Sequence, residues 1–165
     1  MKTYSILIII LLAACNGPGI CDCTPKWVED GISFEFDTTS SNGFSLSEID
    51  TIQLFKLSKN YENLDSIQAV IINSRSGFSG NSSIFNDLGV FFHSENSFFS
   101  ANYSNFNFEI KTQSEYSFLI DNIELSGELR GDDDCRCYKN TKKSISLNDS
   151  ALSKIQLREK VILSK

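Results

Sequence analysis

Apolar and polar residues alternate without interruption in Ile32-Ser33-Phe34-Glu35-Phe36-Asp37. Successive side chains of a β-strand point to opposite faces, so this pattern predicts a strand with one buried face. The same period of two returns over residues 106–110 and 118–120. We therefore predict a mostly β domain whose core contains the alternating residues Phe34, Phe36, Phe106, Phe108, Ile110, Phe118 and Ile120.

Candidate strands recur along the chain at the spacing of hairpins. About nine of them lie at 32–37, 51–58, 67–73, 88–92, 105–111, 116–120, 123–129, 145–147 and 155–163. Polar turns are predicted between them, for example over 60–65, and Gly127 indicates a bulge or a close backbone approach. No segment of the domain has a convincing helical period, although Asp149 or Ser150 could cap a helix over 149–162. The pattern predicts an antiparallel β-sandwich, immunoglobulin-like or transthyretin-like in outline.

The N-terminus reads as a secretory signal. Lys2 is followed by an apolar run over 6–12, which is far shorter than the ~20 residues of a membrane-spanning helix. The run ends in Leu12-Ala13-Ala14-Cys15, which resembles the lipobox of bacterial lipoproteins. The resemblance implies cleavage before Cys15 and its diacylation; an ordinary signal peptide with a chance cysteine is the alternative. We expect a signal peptide at 1–14, a lipidated tether at 15–20 and one sandwich domain at 21–165.

Charge limits the classes of partner. The formal net charge is −6, and loss of Lys2 with the signal brings the mature chain near −7. Because nucleic-acid binding needs a basic stripe and the chain has none, we predict no nucleic-acid partner. Two or more acyl chains at Cys15 would hold the protein stably to a membrane without spanning it.

Four cysteines remain once Cys15 is assigned to lipid, arranged as Cys21-Asp22-Cys23 and Cys135-Arg136-Cys137. An even number in an exported chain favours disulfides, with a four-cysteine zinc site or reactive thiols as alternatives. If the two segments lie antiparallel, Cys21 pairs with Cys137 and Cys23 pairs with Cys135. The bonds would then join the two ends of the domain.

Residues that could carry other chemistry are few. His93 is the only histidine and follows an apolar run, so we expect a surface residue or a hydrogen-bonded polar group. A weak candidate for a calcium site is the run Asp132, Asp133 and Asp134, for which a solvated turn is the simpler interpretation. Nucleophile-elbow, dinucleotide and P-loop motifs are absent from the sequence. No cofactor is predicted.

Asp followed by Ser or Thr and then by a small or aliphatic residue occurs four times. The triplets begin at Asp37, Asp50, Asp65 and Asp149, and they offer the hydroxyls of Thr38, Thr51, Ser66 and Ser150. They resemble the O-glycosylation motif of a large group of Gram-negative bacteria, whose lipoproteins the composition and lipobox also resemble. Alternatively, the Asp side chains simply form turns where strands begin.

The same resemblance bears on location. Acidic residues directly after the lipidated cysteine accompany surface export in such bacteria, and they are missing from Asn16-Gly17-Pro18-Gly19. This favours an outer-membrane lipoprotein that faces the periplasm.

The predicted function is that of a non-enzymatic cell-envelope lipoprotein that binds a protein or a glycan. A structural subunit of a surface adhesin or fibre and a carboxylate-based hydrolase are the alternatives. An exposed apolar patch would favour the binding module. An unpaired edge strand would favour the fibre subunit, and a concave pocket with converging carboxylates would favour the hydrolase.

Overall fold

A computed structural model of the protein describes residues 21–70, 85–86, 89–99, 102–132, 135–153, 155–157 and 159–165. Residues 1–20 lie outside these ranges, so the signal, the tether and Cys15 are not part of the structural description. The same holds for Asp133 and Asp134. The predicted all-β sandwich is confirmed, because the described residues form two sheets that are mainly antiparallel.

The elements follow one another in a simple order. The helices are α1 (Lys26–Asp30), α2 (Leu46–Ile49) and a 3-10 helix (Tyr103–Asn105). The strands are β1 (Ile32–Phe36), β2 (Thr51–Leu57), β3 (Asn63–Val70), β4 (Phe85–Asn86), β5 (Gly89–Phe92), β6 (Asn107–Thr112), β7 (Ser117–Asp132), β8 (Cys135–Leu147), β9 (Ser150–Ser153) and β10 (Lys160–Leu163). Nine of these described strands have four residues or more, in agreement with the predicted number.

The smaller sheet has the order β10-β1-β5-β4, and the larger has the order β3-β2-β6-β7-β8-β9. Strand β1 pairs antiparallel with β5 but parallel with β10, where Phe34 lies opposite Val161. This parallel pair is an exception to the predicted antiparallel pattern. The pair is parallel because β1 and β10, the first and last described strands, are neighbours in this sheet and run in the same direction.

Aromatic rings fill the space between the sheets. Phe92 of β5 lies at their centre, with ring centroids 4.8 Å from Phe34, 4.3 Å from Phe99 and 4.9 Å from Phe108. Six of the seven predicted core residues are buried, namely Phe34, Phe36, Phe108, Ile110, Phe118 and Ile120. Phe106 is only half-buried, because it precedes β6 and packs against the core from its margin.

Several predicted boundaries were wrong. The short helices α1 and α2 were not predicted, since elements of five and four residues are too short to show a helical period. Strand β3 begins inside the predicted turn over 60–65. Residues 155–157 are not a strand, and the two predicted strands over 116–129 are one continuous strand, β7.

Strands β7 and β8 extend beyond the sandwich as a two-stranded ribbon. Their register shifts between Ser126 and Gly127, so Thr141 is an extra residue in β8 and forms a bulge. The close approach predicted at Gly127 is also present, since a Cβ atom there would lie 2.5 Å from the Tyr138 ring. None of the helices within the described ranges has the length and apolar character needed to cross a bilayer.

Candidate binding cleft

The segment that precedes β1 lies along β8 and is fixed to it by two disulfides. We call residues 21–31 the strap. Cys21 is bonded to Cys135 and Cys23 to Cys137, with Cα atoms 5.6 and 5.3 Å apart. The prediction of disulfides that join the two ends of the domain is confirmed. The predicted antiparallel pairing is wrong, since the strap and β8 run in the same direction.

The direction of the strap follows from where the chain goes next. Glu29 contacts Lys139 and Asn140, and the carbonyl of Gly31 accepts a hydrogen bond from Lys143, so contacts along the strap follow the order of β8. The strap has to deliver the chain to β1 at the sandwich end of β8. Since it is not one arm of a hairpin with β8, the antiparallel rule used in the prediction does not apply to it.

Asp30 on α1 is a buried carboxylate that three neighbouring side chains bind. Tyr138 donates to Oδ1 at 2.8 Å and Asn140 donates to it at 2.7 Å, while Lys26 forms an ion pair with Oδ2. Burial alone would raise the pKa of Asp30. The hydrogen bonds from Lys26, Asn140 and Tyr138 outweigh burial and lower the pKa below its usual value of 3.8.

Glu29 and Lys143 are the other buried charges of this region. Glu29 accepts from Lys139 Nζ at 2.9 Å and from the backbone N–H of Asn140 at 3.4 Å. Lys143 Nζ donates to the carbonyl oxygen of Gly31 at 2.6 Å. Burial lowers the pKa of Lys143, although the charges of Asp30 and Glu29 oppose that shift. The strap therefore packs on β8 through polar contacts that are shielded from water.

Tyr103 completes the contacts at the end of α1. Its hydroxyl donates to the carbonyl oxygen of Asp30 at 2.5 Å, and burial raises the pKa of Tyr103 far above its usual value of 10.0. With Lys143 bound to Gly31, the carbonyl of the last residue of α1 and that of the residue after it both have side-chain donors. A helix end that is buried needs such partners, because its last carbonyls have none within the helix.

A cleft of about 650 Å³ opens beside the strap. It is lined by Glu29 of α1, by residues 140–144 of β8 and by residues 155–157 between β9 and β10. Along this edge of β8, the strap binds the N–H of Asn140, the N–H of Ile155 donates to the carbonyl of Lys143 at 3.1 Å, and β9 pairs with Ser144–Leu147. The cleft is therefore a gap in the cover of one strand edge, within the volume range of small-ligand and side-chain pockets.

Most polar groups that line the cleft already have partners in the protein. Thr141 donates to the carbonyl oxygen of Ser126 at 3.3 Å. Lys142 and Ser144 both contact the Glu124 carboxylate, at 2.5 and 3.1 Å. The opposite wall is formed by Ile155, which is half-buried against the core, by the exposed Gln156 and by Leu157, which is 40 % exposed. The cleft thus has hydrogen-bonded polar side chains on the β8 side, and apolar surface together with the Gln156 amide on the other.

The predicted glycosylation sites lie apart from the cleft and differ in exposure. Ser66 on β3 and Ser150 at the start of β9 are exposed, whereas Thr38 and Thr51 are half-buried. The turn interpretation fits Asp37, whose Oδ1 accepts from the backbone N–H groups of Thr39 and Ser40 at 2.9 and 3.1 Å. It does not describe Asp65, which lies within β3.

The other predicted candidates do not assemble into a site. His93 is buried rather than on the surface, with its ring centroid 5.2 Å from that of Trp27 and 5.3 Å from that of Phe91. Asp132 is exposed and accepts from the N–H of Cys135 at 3.1 Å, and the rest of that acidic run lies outside the described residues. The sulfurs of Cys23, Cys135 and Cys137 lie within 4.8 Å of one another, but all are engaged in disulfides rather than available as zinc ligands.

Glu29, Asp30 and Lys143 were not predicted as site residues. A signal existed for Lys143, because the period of two places it on the same buried face as Ile145. No comparable pattern marks Glu29 and Asp30, which lie on a helix of five residues. No protein-family model, curated protein or solved structure matches this chain.

Proposed function

We propose that this protein is a non-enzymatic lipoprotein of the cell envelope, anchored by lipid at Cys15, whose cleft beside the strap binds a protein or glycan partner. The observation that carries the binding role is the cleft itself, with its aliphatic wall at Ile155 and Leu157. We place the protein in the outer membrane, facing the periplasm. The composition and Asp-Ser/Thr triplets support glycosylation at Thr38, Thr51, Ser66 and Ser150.

The position of the strap suits an anchored domain. Six residue steps separate Cys15 from Cys21, and a fully extended chain spans at most about 3.6 Å per residue, so the anchor lies within roughly 22 Å of the strap. In this proposal the tether joins the domain at the ribbon, because the strap that follows it is bonded to β8. The cleft lies farther along β8, where a partner can reach it.

A carboxylate-based hydrolase is supported less well by this site. Glutamate or aspartate acting as acid and base must face the substrate in pairs. Among the described residues, Glu29 is the carboxylate that lines the cleft, and it is engaged with Lys139 and Asn140. Asp30 next to it is bound by three side chains.

A structural role in a fibre or adhesin has one observation in its favour. Strand β3 is an edge of the larger sheet and pairs only with β2 among the described strands, and the side chains at 63–66 are exposed. An edge of this kind can pair with a strand from another chain. Concentration-dependent assembly of the purified full-length protein, measured by analytical ultracentrifugation, would support this second function.

Two experiments test the proposal in the native host. Cells labelled with an alkyne-tagged palmitate should incorporate label into the wild-type protein, and Cys15→Ser should abolish both the label and membrane retention. A photoreactive amino acid at Gln156, in the cleft, should yield a crosslinked partner that is absent when the probe replaces Gln68, an exposed glutamine on β3. Equal crosslinking from both positions would contradict the assignment of the cleft.

A further inference from the structure

We infer that the occupant of the cleft is an uncharged, extended peptide segment that places an aliphatic side chain against Ile155 and Leu157, rather than a glycan. This inference rests on the proposed binding function and names the class of partner. It depends on the two walls of the cleft and on the strand edge at its base.

Hydrogen-bonding capacity is the first argument. A sugar presents several hydroxyl groups, each of which needs a partner when it leaves water. The side chains of Glu29, Thr141, Lys142 and Ser144 are already engaged within the protein. The exposed Gln156 adds a single side-chain amide, which is too few groups for a ligand with several hydroxyls. Sugars also use aromatic side chains as stacking platforms, and the described residues that line the cleft include none.

Charge is the second argument. The charged groups at the rim are neutralised in pairs, since Lys139 contacts Glu29 and Lys142 contacts Glu124. A charged ligand would gain little from charges that are already compensated, whereas an uncharged one would leave both pairs intact. The favourable contribution to the free energy of binding then comes from burial of apolar surface on Leu157, at roughly 25 cal/mol per Å².

The strand edge is the third argument. Lys142 pairs with Ser126 of β7, and β9 ends before it reaches this part of β8, because Ser153 pairs with Ser144. Among the described strands, Thr141 and Lys142 therefore have a strand neighbour on one side only. The open stretch is short, because the N–H of Asn140 donates to Glu29 and the carbonyl of Lys143 accepts from the N–H of Ile155 at 3.1 Å. An extended peptide can lie along such an edge by main-chain pairing while its side chains enter adjacent pockets.

The test uses full-length lipidated protein in phospholipid nanodiscs, with labelled methyl groups of isoleucine and leucine observed by NMR. The probes are the capped peptides acetyl-Ala-Leu-Ala-amide and acetyl-Ala-Ser-Ala-amide and the disaccharide of N-acetylglucosamine. We expect the leucine peptide to shift the methyl signals of Ile155 and Leu157. The serine peptide should bind with an affinity at least about tenfold lower than that of the leucine peptide. The disaccharide should leave these signals unchanged.

Substitutions provide the control. Leu157→Asp should weaken binding of the leucine peptide by about tenfold or more, whereas Leu129→Asp, at a 66 % exposed position on the ribbon, should not change it. A near-UV circular dichroism spectrum identical to that of wild type will show that both variants are folded. If Leu157→Asp does not fold, Leu157→Asn replaces it in the binding measurement.

Three outcomes would overturn the inference: shifts with the disaccharide alone, equal binding of the two peptides, or no shift with any probe. Crosslinking from Gln156 in cells reports on the proposed function separately, since it detects any partner at the cleft whatever its chemistry.

Discussion

The Lys143 ammonium donates to the carbonyl oxygen of Gly31 at 2.6 Å, and only 3 % of the Lys143 residue surface is exposed. This contact joins β8 to the residue that links α1 to β1. A hydrogen bond from a charged donor contributes about 1.5–3 kcal/mol, and a buried acceptor that loses its donor is costly. Lys143 is therefore a structural lysine that fixes the end of the strap.

Replacing Lys143 tests that role. We expect Lys143→Met, which keeps the apolar stem of the side chain, to lower the free energy of unfolding by about 1.5–3 kcal/mol, because the carbonyl of Gly31 loses its donor. Lys142→Met, at the exposed neighbour, should change it by less than about 0.5 kcal/mol. Urea unfolding at pH 7 provides the measurement, and equal effects of the two substitutions would contradict the structural role.

The contacts of Asp30 predict that the free energy of unfolding falls at acidic pH. Its pKa is lower in the folded protein than its usual value of 3.8, so the ionised form stabilises the fold above that pH. This stability is lost as the pH falls below 3.8 and through the folded-state pKa. We expect the free energy of unfolding of Asp30→Asn to fall less than that of wild type between pH 5 and pH 3. Asp65→Asn, at an exposed position on β3, should follow the wild-type profile.

The disulfide pairing can be mapped directly. Cleavage before Asp22 separates Cys21 from Cys23, and cleavage after Arg136 separates Cys135 from Cys137. Non-reducing digestion with an Asp-specific protease and trypsin should then give linked peptides that contain Cys21–Cys135 and Cys23–Cys137. Recovery of a Cys21–Cys137 peptide would show the antiparallel pairing instead.

The losses of stability caused by removing the two disulfides should not be additive. A first bond across 114 residues constrains a large loop, for which the chain-entropy estimate is about 4.7 kcal/mol. The second bond closes only the small ring formed by 21–23 and 135–137. Replacing either pair by serine should cost about 2 kcal/mol, and replacing both should cost more than twice as much. Additive losses in denaturant unfolding would contradict this.

Phe108 and Phe106 form a matched pair that tests the core. Phe108 is fully buried and contacts Phe92, so Phe108→Ala should lower the free energy of unfolding by about 3–5 kcal/mol. Phe106 is half-buried, with the Lys56 ammonium 4.1 Å from its ring centroid, and Phe106→Ala should cost clearly less. Thermal and urea unfolding of the two variants provide the measurement. Equal losses in the free energy of unfolding would contradict the position of β6.

Glycosylation at the Asp-Ser/Thr triplets remains a prediction with a direct readout. Protein purified from its native host should exceed the mass of polypeptide plus lipid, and Ser66→Ala and Ser150→Ala should each remove one glycan mass. Ser126→Ala, at an exposed serine outside any triplet, should not. A wild-type mass equal to that of polypeptide plus lipid would contradict glycosylation and support the interpretation of the triplets as turns.

The strands were predictable from sequence wherever burial on one face imposes a period of two, as in β1 and β6. Prediction failed where apolar and polar residues alternate outside a strand. Ile155 and Leu157 continue the alternation toward Val161, yet residues 155–157 are a loop, because Gln156 and Glu159 form a turn through hydrogen bonds of 2.6 and 3.1 Å. The aliphatic wall of the cleft therefore consists of residues that the sequence pattern placed in a strand.

The candidate site was less predictable than the fold, because it is assembled from distant segments. Glu29 and Lys139 are 110 positions apart, and only the direction of the strap brings them together. The cysteines indicated that the segments meet, but a C-x-C pair can be bonded to another in either direction. The direction depends on where β1 begins, which is a property of the whole topology.

The parallel pair of β1 and β10 has a consequence for the order of folding. Among the described strands, Ile32–Phe36 is the first to be synthesised, and Lys160–Leu163, which lies beside it, is the last. During synthesis the smaller sheet stays one strand short until residues 160–163 have been made. A chain that ends before Lys160 would leave one edge of β1 without its native neighbour, so its apolar residues become available to chaperones or to aggregation. The pairing of β1 with β10 therefore links the folding of the smaller sheet to the synthesis of residues 160–163.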